Sequence, residues 1–193
     1  FHMSAADGGR RVGIVDDADL MNPNAANALL KMLEEPPARA IILLISHRPS
    51  GLLPTIKSRC RTLRLGTLSP DQMAQALAQS GVDVQGDPAA LAALSGGSVG
   101  GALGLSLMGG LKMYAELVGI LGTLPQMDRS RALALAEAAA TRGAEEKLTL
   151  LFTLIDLLML RLARSGATGQ PPETEAAPNE RAVLARLSAT PAQ

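Results

Sequence analysis

The feature that most constrains this chain is a pair of short apolar runs separated by one strongly patterned segment. The first run, residues 12–15, ends in Asp16 and Asp17, and the second, residues 41–45, ends in Ser46. Apolar, β-branched runs of this length predict buried strands. Two such strands joined by a helix predict a parallel βαβ unit, in which both strands end at the same edge of the sheet.

The segment between the two runs predicts a helix with clear ends. Asn22 is a preferred N-cap residue, and Pro23 fits the first helical turn. Apolar residues then follow at helical spacing and form one stripe: Ala26, Leu29, Leu30 and Leu33. Pro36 and Pro37 end the helix, because a proline forces the preceding residue out of the α region.

The two acids after the first run lie where a ligand is expected. In open α/β sheets, phosphate ligands bind beside the carboxyl ends of the strands. Asp16 and Asp17 are therefore placed like a Walker B element, whose first acid holds Mg²⁺ and whose second orients a water. The alternative is a structural role, in which they cap the strand end and accept hydrogen bonds from nearby backbone amides.

Arg59 is predicted at a corner between two elements. A short helix over residues 50–57 precedes it, and a strand over residues 61–65 follows, with Leu63 and Leu65 facing the core. A planar and permanently charged guanidinium at such a corner is suited to reach a phosphate on another molecule. An ordinary surface ion pair is the alternative.

Composition excludes several classes of protein. The chain has 193 residues, 47% of them hydrophobic, and its 18 acidic residues balance 18 Lys and Arg. A broad basic surface for nucleic acid is therefore not expected. The single cysteine, Cys60, excludes an internal disulfide and suits a reducing cytosol, and no Cys and His cluster has metal-ligand spacing. The longest apolar run, residues 148–163, is too short for a membrane span, so we predict a soluble, cytoplasmic chain.

After residue 68 the pattern is helical. Three short helices are predicted first, and four further helices follow, over residues 72–79, 88–94, 98–103, 111–121, 128–142, 145–164 and 179–187. The polar, proline-containing residues 166–178 are predicted to be a disordered loop. The helix over residues 145–164 is apolar around most of its circumference, so other structure must cover it on several sides. Either one small helical domain or a ring of such domains from several subunits would do so.

Two motifs carry a family resemblance. Residues 27–37 (NALLKMLEEPP) and residues 58–61 (SRCR) resemble the clamp-loader subunits of bacterial DNA polymerase III, which are AAA+ proteins. The resemblance is dense over residues 12–65 and readable to about residue 107. It implies an α/β fold followed by an all-α part: the second half of an AAA+ core domain over residues 1–67, a helical lid over 68–109 and a helical collar for oligomerisation over 110–193.

The resemblance also assigns roles at the corner. It implies that Arg59 is an arginine finger, inserted into the ATP site of a neighbouring subunit, and that Ser58 and Cys60 lie at the same interface. Such a finger contributes roughly 10³–10⁵ in rate. ATP and Mg²⁺ then belong to the neighbour, and this chain itself holds no cofactor and no metal.

Other positions depart from the hydrolysing members of the family. Ser46 lies where those members have a sensor Thr or Asn, and Gly100 replaces an arginine that contacts the γ-phosphate. The second Walker B acid, usually Glu, is Asp17, which is shorter by one methylene. Ser46, Gly100 and the pair Asp16 and Asp17 are therefore read as degenerate sites, as in the non-hydrolysing delta-prime type of subunit.

A nucleotide-binding AAA+ module needs a G-x-x-x-x-G-K-[ST] loop before its Walker B strand. Residues 1–11 contain none, so the chain is expected to be the C-terminal part of a longer protein. Residues 1–3 are read as an added leader or, alternatively, residues 1–9 are read as the end of a helix.

Three functions remain open from the sequence. The first is a non-hydrolysing delta-prime-type subunit, which with gamma/tau and delta subunits loads the sliding clamp on primed DNA. The second is an ATP-hydrolysing gamma/tau-type motor. The third is a structural helical adaptor in which Arg59 has no catalytic role. Gly100 and Asp17 argue against the motor, and the intact motif around Arg59 argues against the adaptor.

Overall fold

The computed structural model describes residues 9–36, 38–141, 143 and 145–188. The chain divides into two compact units, Phe1–Leu65 and Gly66–Gln193, and each has its own hydrophobic core. Three parts of the predictions lie outside the described residues: the leader or helix end before Gly9, the helix-ending Pro37, and the predicted helix end at residue 142.

The first unit contains the predicted βαβ arrangement. Strand β1 (Arg11–Val15) pairs in parallel with strand β2 (Ala40–Leu44), with Val12 opposite Ile41. Beyond the strands the backbone pairing continues, since the amide of Ile45 donates to the carbonyl of Val15 at 3.0 Å. The two strands therefore end at one common edge, as the sequence predicts.

Helix α1 (Pro23–Glu34) connects the strands and begins at the predicted cap. The Asn22 side chain accepts a hydrogen bond from the Ala25 amide at 2.9 Å. The buried stripe of α1 forms a small core with one residue from a later turn, and this core consists of Ala26, Leu29 and Ile56. Side chains from β2 pack against it, so α1 covers one face of the sheet.

The prediction that both strands are buried is wrong for one face of the sheet. Residues on the face opposite α1 remain exposed: Val12 by 56%, Ile14 by 64%, Ile41 by 38% and Leu43 by 49%. Within the described residues of this unit, a helix covers only one side of the two-stranded sheet. Each strand is consequently half-buried, with alternate residues inward.

The predicted helix over residues 50–57 is divided. A 3₁₀ turn spans Pro49–Gly51, and a separate helix α2 spans Pro54–Lys57. Pro54 explains the break, because it forces Leu53 into an extended conformation and then occupies the first turn of a new helix.

The predicted strand over residues 61–65 is also wrong. These residues have no regular structure, and Leu63 and Leu65 are 82% and 88% exposed. A strand is stable only when its backbone groups pair with a neighbour. The sheet described in this chain consists of β1 and β2 alone, so the alternating pattern has no partner.

The described residues of the second unit form helices and connecting loops, and none of them forms a strand. Its helices are α3 (Pro70–Gln79), α4 (Pro88–Ser95), α5 (Val99–Leu107), α6 (Gly110–Gly122), α7 (Arg129–Ala139), α8 (Glu145–Thr168) and α9 (Glu180–Ser188). Predicted caps begin several of them. Ser69 and Gln72 form a reciprocal capping box on α3, and Asp87 accepts from two amides of α4.

All helices of the second unit except α7 contribute residues to one core. Buried residues from both the predicted lid and the predicted collar belong to it, among them Met73, Leu77, Leu91, Tyr114, Val118, Leu154, Leu158 and Leu184. The division into lid and collar therefore stays a prediction.

Helix α8 is covered on only part of its surface. Leu154 and Leu158 are 1% and 2% exposed, whereas Phe152, Met159 and Leu160 are 59%, 42% and 51% exposed. One side of this apolar helix is therefore buried within the unit, and the other side is exposed.

A buried ionic network joins α6, α8 and α9. Glu180 is 0% exposed and accepts from the Tyr114 hydroxyl and from Nε of Arg161, both at 2.6 Å. Arg161 also donates to the carbonyl of Thr174 at 2.7 Å, and Glu180 accepts from the Ala176 amide at 2.7 Å. These bonds hold the segment before α9 in place, so the prediction of a disordered loop over residues 166–178 is wrong. Its first residues belong to α8.

By length and composition, no single described helix reaches the requirement for crossing a membrane. Among the helix pairs in the described part of the chain, α4 and α5 alone meet it jointly, and they are bent by 114° at their junction.

We expect Glu180→Ala to lower the free energy of unfolding of the second unit by about 3–5 kcal/mol, because Arg161 then stays buried without its counter-charge. Urea unfolding followed by circular dichroism measures the change. Glu173→Ala, at an exposed acid before the same helix, is the control and should change stability by less than about 0.5 kcal/mol. Equal losses in both variants would contradict the assignment.

Candidate functional site

The common edge of the two strands brings together two acids and a histidine. Asp16 and Asp17 follow β1, and His47 follows β2. Nε2 of His47 lies 3.2 Å from Oδ1 of Asp17, and one potential ligand atom from each of the three residues lies within 4.8 Å of the others. The two acids therefore lie at the end of the strand, as the sequence predicts. The contact between His47 and Asp17 was not predicted.

Asp19 organises the loop that carries this histidine. Its Oδ1 accepts from the backbone amide of His47 at 3.1 Å, and its Oδ2 lies 3.6 Å from Nε of Arg48. Burial of Asp19, whose side chain is 3% exposed, acts to raise its pKa. The Ser46 side chain, hydrogen bonds from the backbone amides of Asp19 and His47, and the charge of Arg48 together outweigh burial and lower the pKa of Asp19 below its ordinary value.

Ser46, the predicted degenerate sensor, is part of this support. Its hydroxyl oxygen is buried and forms no hydrogen bond of ordinary geometry with any described group. It nevertheless lies near enough to Asp19 to help lower the pKa of that carboxyl group.

The electrostatics of the edge are unfavourable for two free carboxylates. A hydrogen bond with Asp17, partial desolvation and the negative charge of Asp17 together raise the pKa of Asp16. A cation or a proton there would relieve the repulsion. The available donors are two carboxylates and one imidazole, whereas Mg²⁺ prefers oxygen ligands alone. The set therefore fits a magnesium–nucleotide centre poorly.

Arg59 lies at the predicted corner, directly after α2. Its Nη2 is 2.9 Å from Oε1 of Glu34, and its Nη1 donates to the carbonyl of Thr55 at 3.0 Å. The Arg59 side chain is 38% exposed and that of Glu34 is 51% exposed. The guanidinium is held in one orientation and remains open to solvent.

Residues beside the arginine differ in their environments. The hydroxyl of Ser58 donates to the carbonyl of Thr55 at 3.0 Å and lies 3.5 Å from Nη1 of Arg59. Cys60 packs against the core of Ala26, Leu29 and Ile56, and burial raises the pKa of its thiol. Ser58 is therefore exposed at the surface, whereas Cys60 attaches the segment that carries Arg59 to the core of the first unit.

Gly100 lies in the other unit, in the first turn of α5. It is exposed, and a Cβ atom added there would meet open space. The backbone thus permits a longer side chain at this predicted sensor position, and the sequence supplies none.

Glu34 is the functional candidate that the sequence did not reveal. It ends α1 within the NALLKMLEEPP motif, far from Arg59 along the chain. The pairing follows from the packing of α1 on α2, which residue spacing alone does not show.

Comparisons with known proteins agree on one family. The family described as DNA polymerase III, delta subunit, matches residues 1–69. DNA polymerase III subunit delta' of Pseudomonas aeruginosa is 66% identical over 53 residues, which are 28% of this chain and 16% of that protein. The delta' subunit of Escherichia coli is 47% identical over 100 residues, or 51% of this chain and 29% of that protein. DNA polymerase III subunit gamma/tau of Mycobacterium tuberculosis is 36% identical over 151 residues, or 70% of this chain and 26% of that protein.

By these similarities the chain is a delta-prime-like fragment, similar to part of the DNA polymerase III clamp-loader subunits. It spans less than a third of the length of each of these relatives. The resemblance inferred from residues 27–37 and 58–61 is thereby confirmed.

We expect Asp16→Asn to raise the free energy of unfolding of the first unit at pH 7 and to have no effect well below pH 3.8. The folded chain raises the pKa of Asp16, so its ionised form costs stability. That cost is absent where the carboxyl is protonated in both states, grows as the pH rises from 3.8 through the raised pKa, and is complete above it.

Urea unfolding across this pH range, with a chelator present to exclude metal ions, measures the effect. The exposed acid Glu35, changed to Gln, is the control for the removal of one negative charge from the surface of the same unit. A gain from Asp16→Asn that persists at pH 3 would contradict repulsion as its cause.

Proposed function

We propose that this chain is part of a non-hydrolysing, delta-prime-type clamp-loader subunit that completes the ATP site of an adjacent subunit with Arg59. The observation that carries the proposal is the exposed guanidinium fixed at a corner of the first unit by Glu34 and Thr55. In this role Ser58 and Cys60 form the border of the same intersubunit contact. The partners are gamma/tau-type and delta-type subunits.

The chemistry of the group suits this role. A guanidinium forms two parallel, charge-assisted hydrogen bonds with a phosphate and stays charged at any cellular pH. During phosphoryl transfer, negative charge spreads over the transferred group, and an arginine supplied from outside the site stabilises it.

A role without ATP hydrolysis in this chain is supported by three positions. The edge of Asp16 and Asp17 is paired with an imidazole, and the exposed turn at Gly100 offers no charge to a nucleotide. We therefore place ATP and Mg²⁺ in the neighbouring subunit and no cofactor in this chain. The assembly would load the sliding clamp on primed DNA in the cytoplasm.

The second unit supports assembly in this proposal. Phe152, Met159 and Leu160 present apolar area on the outward side of α8. Isolated apolar residues on a surface are common, but several on one helix are typical of a protein contact. We assign this side of α8 to the oligomerisation collar.

A hydrolysing gamma/tau-type motor is the second candidate. The observation that favours it is the longer match to the gamma/tau protein of Mycobacterium tuberculosis, over 70% of this chain. Titration of the full-length protein with labelled ATP separates the two candidates. Tight, Mg²⁺-dependent binding supports the motor, and its absence supports the delta-prime type.

We expect Arg59→Ala to abolish ATP turnover at the one site that Arg59 completes, a loss of up to roughly 10³–10⁵ at that site. The measurement is steady-state ATP hydrolysis by the reconstituted assembly with clamp and primed DNA. Folding should hardly change, because an exposed ion pair contributes only about 0.2–1 kcal/mol.

Arg64→Ala is the matched control, since it removes the same charge from an exposed residue nearby. The control should hydrolyse ATP like the unmodified assembly. Unchanged turnover with Arg59→Ala would leave the chain as a structural adaptor.

A further inference from the structure

The guanidinium of Arg59 already has an anionic partner in its own unit. Nη2 lies 2.9 Å from the carboxylate of Glu34, the last residue of α1. Nη1 donates at the same time to the carbonyl of Thr55 at 3.0 Å. The arginine therefore has a defined resting position, in which one terminal nitrogen contacts a negative charge.

A phosphate that binds Arg59 through Nη2 would use the same nitrogen as Glu34. Two parallel hydrogen bonds to one phosphate use neighbouring nitrogens of the guanidinium. Glu34 holds one of these nitrogens and brings negative charge to the place where a phosphate oxygen would lie. The carboxylate and the phosphate are consequently competitors for Arg59.

We infer that Glu34 is a latch for Arg59. It pairs with the guanidinium while no phosphate is near, and the terminal phosphate of a nucleoside triphosphate on a neighbouring subunit displaces it. Glu34 is thus a positioning residue, because it acts through Arg59 and does not itself contact the nucleotide. The inference rests on the proposed role of Arg59 and deepens it.

The structure gives the latch a suitable strength. Both side chains are partly exposed, Arg59 by 38% and Glu34 by 51%. An exposed ion pair shifts an equilibrium by no more than about fivefold. A phosphate, which carries more charge and binds with two parallel hydrogen bonds, can therefore displace the carboxylate.

The latch and the arginine are also held at a fixed separation. Glu34 ends α1 and Arg59 follows α2, and the two helices pack together through Leu29 and Ile56. Because Leu29 is 3% exposed and Ile56 is 1% exposed, the core sets this distance. When the phosphate leaves, the guanidinium of Arg59 can pair again with the carboxylate of Glu34, because the core has kept their separation unchanged.

The test uses the full-length protein with Glu34→Gln, assembled with its partner subunits, clamp and primed DNA. This change removes the charge and keeps the shape of the side chain. We expect the KM for ATP to fall by about two- to fivefold with little change in kcat, since Arg59 is released more easily. The difference should shrink as salt is raised, because exposed charges are screened.

Two variants separate the latch from a general effect of surface charge. Glu35→Gln removes a charge one residue away and should leave KM unchanged. Glu34→Gln added to Arg59→Ala should have no further effect, because the latch acts only through the arginine. An unchanged or higher KM with Glu34→Gln, an equal shift with Glu35→Gln, or a shift that persists without Arg59 overturns the latch.

The failure of the proposed function has a different result. If Arg59→Ala leaves ATP turnover intact, the finger role itself fails, and the latch fails with it. If Arg59→Ala impairs turnover while Glu34→Gln leaves KM unchanged, only the latch fails. The melting temperature of Glu34→Gln shows that the fold is retained.

Discussion

The contact between α1 and α2 is the interaction on which the corner depends. Helix α2 is only four residues long, and a helix of that length is not stable by itself. Ile56, inserted against Ala26 and Leu29, fixes it on the longer helix. The same packing sets the distance between the end of α1 and the guanidinium of Arg59, so a small apolar core determines the geometry of an exposed ionic site.

The polar edge of the sheet is largely occupied by its own side chains. His47 lies against Asp17, and the supporting acid Asp19 binds the loop amide and the charge of Arg48. These contacts keep the loop in place, and the imidazole beside the two acids makes the edge a poor site for a magnesium–nucleotide complex. The catalytic contribution proposed for this chain therefore comes from Arg59.

The features that the sequence predicted correctly are those that depend on local interactions. The caps at Asn22 and Ser69, the parallel strands and the family all follow from neighbouring residues or from short motifs. The predicted strand over residues 61–65 failed because a strand needs a partner elsewhere in the chain. For the same reason the ionic pairs Glu34–Arg59 and Arg161–Glu180 could not be predicted, since tertiary packing brings their members together.

The most direct test is a structure of the full assembly, bound to clamp, primed DNA and a non-hydrolysable ATP analogue. The account predicts that the guanidinium of Arg59 lies about 2.7–2.9 Å from an oxygen of the terminal phosphate in the adjacent subunit. The carboxylate of Glu34 should then have moved away. An assembly in which every ATP site is filled while Arg59 still contacts Glu34 and no phosphate would contradict it.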